Sequence, residues 1–182
     1  MGALRAMTAQ ELLRYSHEPF RTELLDGMLV EMEPAGALHG VVAARACQLL
    51  SNHVLGHGLG KVFGAETGFQ LASDPDTVRA PDASFVSRER IAVIGIPNAY
   101  WPGPPDVAFE VTSPRDRRGE FEGKTRSWLQ AGTRVVVVLD PRERSATVHR
   151  ANRATCRCDG REPLRLEDVL PGFAPAADDF FA

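Results

Sequence analysis

Lysine is almost missing from this chain. Of its 21 basic residues, all but two, Lys61 and Lys124, are arginine. A sequence that meets its general need for positive charge with arginine keeps lysine where a compact, tunable ammonium serves better than a planar fork. Cysteine is scarce as well, with three in 182 residues. Cys156 and Cys158 stand too close in sequence for an ordinary disulfide, and no second Cys/His pair with ligand spacing completes a zinc site. Cys47 falls within a helical pattern and reads as core. No apolar run nears the roughly 20 residues of a membrane-spanning helix. The stretch Met1 to Met7 lacks the apolar core of a signal peptide. The expected location is therefore cytoplasmic, with no membrane partner. A GxxxxGK(S/T) loop is also missing, which argues against nucleoside triphosphates as substrates.

What is present suits one globular domain, 1–182, long enough to bury about 70% of its unfolded surface. The net charge of −3 is unevenly spread. Residues 1–110 carry 8 positive and 13 negative groups, residues 111–161 carry 12 and 6, and residues 162–182 carry 1 and 5. A basic stretch thus begins directly after Glu110. It has the asymmetry a phosphate-contacting surface needs, although scattered surface arginines give the same count.

Thr8 to Tyr15 reads as a helix with a Thr8/Glu11 capping box. Thr22 to Glu33 reads as a β-hairpin turning at Asp26-Gly27. That turn places Glu23, Leu25, Met28, Val30 and Met32 on one face, so Glu23 is a carboxylate among apolar neighbours. A helix is expected from Ala37 to His57, ending at Gly58. Strands are expected at Lys61–Ala72, Val78–Val86 and Asp106–Thr112, with an irregular loop at Pro97–Pro105. A second long helix runs from about Asp116 to Ala131. The β-branched run Val135 to Leu139 reads as a strand buried on both faces. Another strand follows at Ala146–Arg150, and the tail to Phe181 reads as docked by aromatics. This order predicts an α/β fold with a central mixed sheet flanked by helices, and a βαβ crossover from Asp106 to Leu139.

The chemistry gathers around that crossover. In the strand Asp106–Thr112, Val107, Phe109 and Val111 share one face, and Glu110 shares the other with Ala108 and Thr112. A carboxylate in a core strand must be paired, metal-bound or neutralised. Asp82 lies on the preceding strand. Two carboxylates on neighbouring strands can hold one Mg²⁺ with waters and a substrate phosphate. Lys124 falls at the margin of the stripe Phe121, Thr125, Trp128 on the following helix, within reach of a site at the strand end. There it could orient water or offset charge on phosphate oxygens; the plainer reading is a lysine snorkelling off the helix edge. Arg115, Arg117 and Arg118 in the connecting loop suit either phosphate contact or simple solvation.

Pro81-Asp82, then Glu110-Val111-Thr112, then Lys124 resembles the PD-(D/E)xK nuclease superfamily, and within it the Uma-type restriction-endonuclease family. The resemblance extends to Met7–Leu13, the hairpin Glu23–Met32, His39-Gly40, Asp106–Pro114 and the closing Asp168–Phe173. It implies a restriction-endonuclease-like fold with an N-terminal β-hairpin, and a Mg²⁺ site (Mn²⁺ as substitute) at Asp82, Glu110 and the Val111 carbonyl. It also implies DNA as substrate. In that superfamily the lysine usually lies two residues after the acidic residue; here Thr112 takes that place, so the catalytic lysine would be Lys124. Glu23 and His39 match motif positions. Glu23 would complete the acidic cluster or pair with a nearby arginine. His39 would assist the site or bond to backbone at a helix start. Glu66 either faces the site or is solvent-exposed. Cutting both strands of a duplex would suit a homodimer. The competing readings are a non-catalytic nucleic-acid- or protein-binding relative, and a hydrolase acting on a small phosphorylated molecule.

Overall fold

Thr8 closes the start of the first helix, α1 (Ala9–Tyr15), as the capping box predicts. Its backbone N–H donates to Glu11 Oε2 at 2.8 Å, and Glu11 N–H donates back to Thr8 Oγ1 at 3.2 Å. The computed structural model describes residues 6–15, 21–114 and 118–182. Strands β1 (Arg21–Leu25) and β2 (Met28–Met32) then form the predicted hairpin, with Glu23 opposite Val30 and Leu25 opposite Met28. Asp26 and Gly27 have φ of 50° and 75°, as a two-residue turn of this hand requires. The face that packs on an apolar cluster is the other one, however. Leu24 is fully buried with Leu12 of α1 and Val78, while Met28 on the Glu23 face is 66% exposed. Glu23 thus points away from that apolar cluster.

Helix α2 (Ala37–His57) has the expected bounds and stops at Gly58. The next two expected strands each break in two. Lys61–Ala72 resolves into β3 (Gly60–Gly64) and β4 (Phe69–Ala72); Val78–Val86 resolves into β5 (Thr77–Arg79) and β6 (Ala83–Ser87). At the first break Glu66 adopts a left-handed φ of 70°, and Gly68 passes so near the Tyr100 ring that any Cβ would collide with it. At the second break Pro81 offers no N–H to a ladder. Asp82 therefore lies at a bend and not inside a strand, although its N–H still donates to Phe109 at 3.0 Å.

Helix α3 (Arg88–Ile94) and the short strand β7 (Trp101–Pro102) follow, the latter within the expected irregular loop. Then come β8 (Val107–Val111), α4 (Arg118–Ala131), β9 (Val135–Asp140), β10 (Ser145–His149) and β11 (Cys156–Asp159). The predicted helix start at Asp116 lies outside the described residues, as do Arg115 and Arg117. A 3-10 turn, Ala177–Phe181, closes the chain.

The strands make two sheets in place of the single central sheet expected. One has the order β2-β1-β5-β4-β7, the other β11-β10-β9-β8-β6-β3. The β3/β4 and β5/β6 bends carry the chain from one sheet to the other. In the second sheet β8 lies parallel to β9, as the crossover predicts, and antiparallel to β6. Val107, Phe109 and Val111 pack with α2 and the C-terminal Leu170, Phe173 and Phe180 in the larger core cluster. Ala108 faces a second cluster with Phe69, Trp101, Trp128 and Val136. Glu110, on the Ala108 face of β8, opens toward α4.

Candidate active site

Five elements deliver charged side chains to one place. Strand β8 supplies Glu110, the β5/β6 bend supplies Asp82, β1 supplies Glu23 and Arg21, β5 supplies Arg79, and α4 supplies Lys124. Glu23 and Glu110 are each 2% exposed and Asp82 4%. Lys124, at 18%, is the less buried partner. Its Nζ lies 2.8 Å from Glu110 Oε2 and 3.7 Å from Glu23 Oε1. The other Glu110 oxygen, Oε1, accepts the indole N–H of Trp128 at 2.7 Å. Trp128 and Lys124 lie four residues apart on α4, so one helical turn supplies both groups that grip the carboxylate.

Asp82 is held differently. Its Oδ2 accepts the backbone N–H of Val111 at 2.8 Å and lies 3.3 Å from His39 Nε2 on α2. Its Oδ1 faces Arg21 NH1 at 3.7 Å. Glu23 is anchored by Arg79 Nε at 3.0 Å and by the Ala80 N–H at 3.1 Å. The second of these ties the site to the bend that carries Asp82, since Ala80 precedes Pro81-Asp82.

Burial and pairing pull against each other here. Burial drives the Glu110 carboxyl up to about 7, against the pull of the Lys124 ammonium. Burial would also raise Asp82, but the bond and charge of His39, the charge of Lys124 and the Val111 N–H hold it below the usual carboxylate value. For Lys124, burial favours the neutral amine, yet Glu110, Glu23 and Asp82 together raise its affinity for the proton. A cleft of about 550 Å³ opens onto the Asp82 side, walled by Arg21, His39, Glu66, Met32 and the small residues of α2.

The structure therefore brings Asp82, Glu110, Lys124 and Glu23 together. Glu23 meets both expectations, pairing with an arginine and completing the acidic cluster. His39 reaches Asp82 and so is more than a helix-start residue. Glu66 is exposed, at a left-handed bend on the rim of the cleft. Nothing in the sequence pattern marks Arg79 or Arg21 as part of the site. Their partners are distant in the chain, and only the pairing of β1 with β5 makes the first contact. Trp128 appears in the sequence only as a core residue.

Part of the basic stretch after Glu110 is matched inside the protein. Arg150 and Arg153 lie 2.9 and 3.5 Å from Asp168, Arg144 lies 3.1 Å from Asp178, and Arg157 lies 3.6 Å from Glu143. The acidic tail thus offsets part of the positive surplus that the sequence places in front of it.

Two mixed sheets exchanging strands at bends, with α4 crossing between parallel β8 and β9, make this a restriction-endonuclease-like α/β protein. The chain belongs to the Uma2 family, whose profile, described as "Putative restriction endonuclease", matches residues 9–178. It is similar to a solved structure described as "a putative nuclease" from Anabaena variabilis, with a TM-score of 0.80 at 18% identity, covering 96% of this chain and 97% of that one. At that identity the likeness shows a shared fold. No curated protein matches the chain.

Proposed function

We propose that this chain is a Mg²⁺-dependent endonuclease that hydrolyses phosphodiester bonds in DNA, with Mn²⁺ able to substitute. One observation carries the reading. Lys124 belongs to α4 and not to β8, yet its ammonium lies 2.8 Å from Glu110. This closeness supports reading Lys124 as the counterpart of the lysine that the superfamily pattern would put at Thr112.

Asp82, Glu110 and the Val111 carbonyl are the groups that would hold the metal. All three are hard oxygen donors, and Mg²⁺ keeps several waters and takes only one or two carboxylates at such sites. Among the described residues no three His, Cys, Asp or Glu side chains form a ready cage. That suits a metal shared with a substrate phosphate better than a structural metal. Bound Mg²⁺ supplies Lewis acidity and a more acidic coordinated water. The chain's own residues supply the remainder. Lys124 orients the attacking water and offsets charge on the phosphate oxygens. Trp128 fixes the Glu110 carboxylate, and Arg79 fixes Glu23 against Lys124. A homodimer would bring one such site to each strand of a duplex.

A non-catalytic nucleic-acid- or protein-binding relative is the second reading. It draws support from how fully the three carboxylates are already matched by Arg21, Arg79 and Lys124.

The test is cleavage of plasmid and single-stranded DNA with Mg²⁺ or Mn²⁺, using wild type beside folded Asp82→Ala, Glu110→Ala and Lys124→Ala. Loss in all three variants supports the full assignment. Activity that survives Lys124→Ala alone keeps the carboxylates and removes the lysine's role. A wild type inert with either metal moves the weight to the second reading.

A further inference from the structure

The acidic oxygens of the site are not equally available. Glu23 Oε2 is taken by Arg79 at 3.0 Å, and its Oε1 by the Ala80 N–H at 3.1 Å. Glu110 Oε1 is taken by Trp128 at 2.7 Å, a neutral donor buried in the core. Asp82 Oδ2 is taken by the Val111 N–H at 2.8 Å and faced by His39 at 3.3 Å. Two oxygens are left, Asp82 Oδ1 and Glu110 Oε2. Arg21 stands 3.7 Å from the first, and Lys124 sits on the second at 2.8 Å.

The charges tell the same story. Three carboxylates, Glu23, Asp82 and Glu110, meet three permanent cations, Arg79, Arg21 and Lys124, each within 4 Å of a carboxylate. The cluster is balanced as it stands, and a protonated His39 would tip it positive. A dication added alone leaves a large positive surplus at a poorly hydrated place, where like charges repel strongly. A dication that arrives with a phosphodiester anion leaves a smaller one. Lys124 carries its charge on a flexible four-carbon stem, and its 18% exposure lies between the 11% of Arg79 and the 22% of Arg21.

We propose that Lys124 is the resting site's own cation, seated on the one Glu110 oxygen open to a metal, and that it yields this oxygen when a phosphodiester enters. The proposal rests on the nuclease reading above for the identity of the anion. It makes the lysine a competitor of the metal in the free protein and its partner in the complex. Metal and DNA binding are then coupled, each raising the affinity of the other by the same factor.

The experiment is calorimetric titration of Ca²⁺ into free protein and into protein saturated with a duplex oligonucleotide, its integrity checked on a gel. It is run at two pH values above neutral, because Lys124 lowers the Glu110 value and its loss leaves that carboxyl more readily protonated in the variants. Wild type, Lys124→Met and Lys124→Gln are compared after thermal melts show that they are folded; the Gln variant keeps a donor to Glu110 should the Met variant not fold. Wild type alone should bind Ca²⁺ weakly, and the lysine variants at least ~10-fold more tightly, as removal of a neighbouring like charge predicts. DNA should tighten Ca²⁺ binding to wild type and change it far less in the variants. Lysine variants that bind Ca²⁺ no better than wild type would overturn the proposal. So would a wild-type affinity that is the same with and without bound DNA. If no protein binds DNA, the nuclease reading falls, and the DNA-free comparison still decides the role of Lys124.

Discussion

The indole of Trp128 and the carboxylate of Glu110 form a fixed pair, with N–H to Oε1 at 2.7 Å and both side chains almost wholly buried. The bond leaves Oε2 to Lys124, whose Nζ lies 2.8 Å away. It also gives Trp128 two roles, filling the space beside Phe69 and donating one hydrogen bond to a charge. Trp128→Phe separates them, since most of the ring volume stays and the donor goes. The expected cost is about 1–3 kcal/mol when Glu110 is ionised, because a hydrogen bond to a charged group is lost. The cost should shrink at a pH where Glu110 is protonated. Denaturant unfolding at two pH values on either side of about 7 reads this directly. An equal loss at both would mean that the indole contributes packing alone.

Glu110 also sets a pH dependence of stability. Its value in the folded chain is about 7, above the ordinary 4.5. The folded chain therefore binds more protons than the unfolded chain between those values, and stability falls as pH rises through that window. A shift of this size corresponds to a loss on the order of 3 kcal/mol. Glu110→Gln should remove the slope. His149, whose value is lowered by burial, contributes an opposite slope near its ordinary 6.5, so the difference between wild type and variant is the quantity to follow. Asp82 acts in a separate range. Its depressed value gives stability that is lost only as pH falls below the ordinary 3.8. Equal slopes in wild type and Glu110→Gln between pH 4.5 and 7 would contradict the account.

Gly68 tests the bend that moves the chain between sheets. A Cβ there would run into the Tyr100 ring, with Val78 Cγ1 behind it at 3.1 Å. Gly68→Ala should cost about 1–3 kcal/mol, the usual range for overpacking. Gly64→Ala, a few residues earlier in open space, should cost little. A double variant with Tyr100→Ala should recover part of the Gly68→Ala loss, which thermal or urea unfolding would show. No recovery would place the strain elsewhere.

Local pattern exposes some of this site in the sequence and topology hides the rest. Alternation along Val107–Val111 already separates Glu110 from Phe109, and the parallel pairing with Val135–Leu139 follows from an uninterrupted apolar run. The hairpin turn and the end of α2 are equally local, because Asp26-Gly27 and Gly58 carry them. The split of Val78–Val86 is less visible. Apolar residues continue through it, so periodicity reads one strand where Pro81 makes two. The hairpin faces are ambiguous for a related reason: Leu24 and Leu29 are two residues against the four apolar partners of Glu23, and only α1 and Val78 decide which side packs on an apolar cluster. The pair Arg79–Glu23 needs β1 beside β5, a contact across 56 residues. The basic stretch after Glu110 misleads on its own, since the acids that answer Arg144, Arg150 and Arg153 arrive later, at Asp168 and Asp178.

That last pairing yields a prediction about nucleic acid. Asp168 holds Arg150 at 2.9 Å and Arg153 at 3.5 Å, and the Arg150 bond keeps its carboxyl below the usual value. The pair is partly exposed, so Asp168→Asn should cost no more than about 1 kcal/mol of stability. Its effect on DNA should be larger. Two guanidinium groups lose their internal anion and become available to phosphates. Each new phosphate contact steepens the fall of log K with log salt by about 0.9 for a duplex. Asp168→Asn should therefore bind DNA more tightly at low salt and show a slope steeper by about 1 to 2. Fluorescence anisotropy over a salt series measures both. If the slope is unchanged while the protein stays folded, Arg150 and Arg153 do not face DNA. The phosphate-contacting surface would then have to be sought around the cleft beside Asp82, where Arg21 and His39 stand.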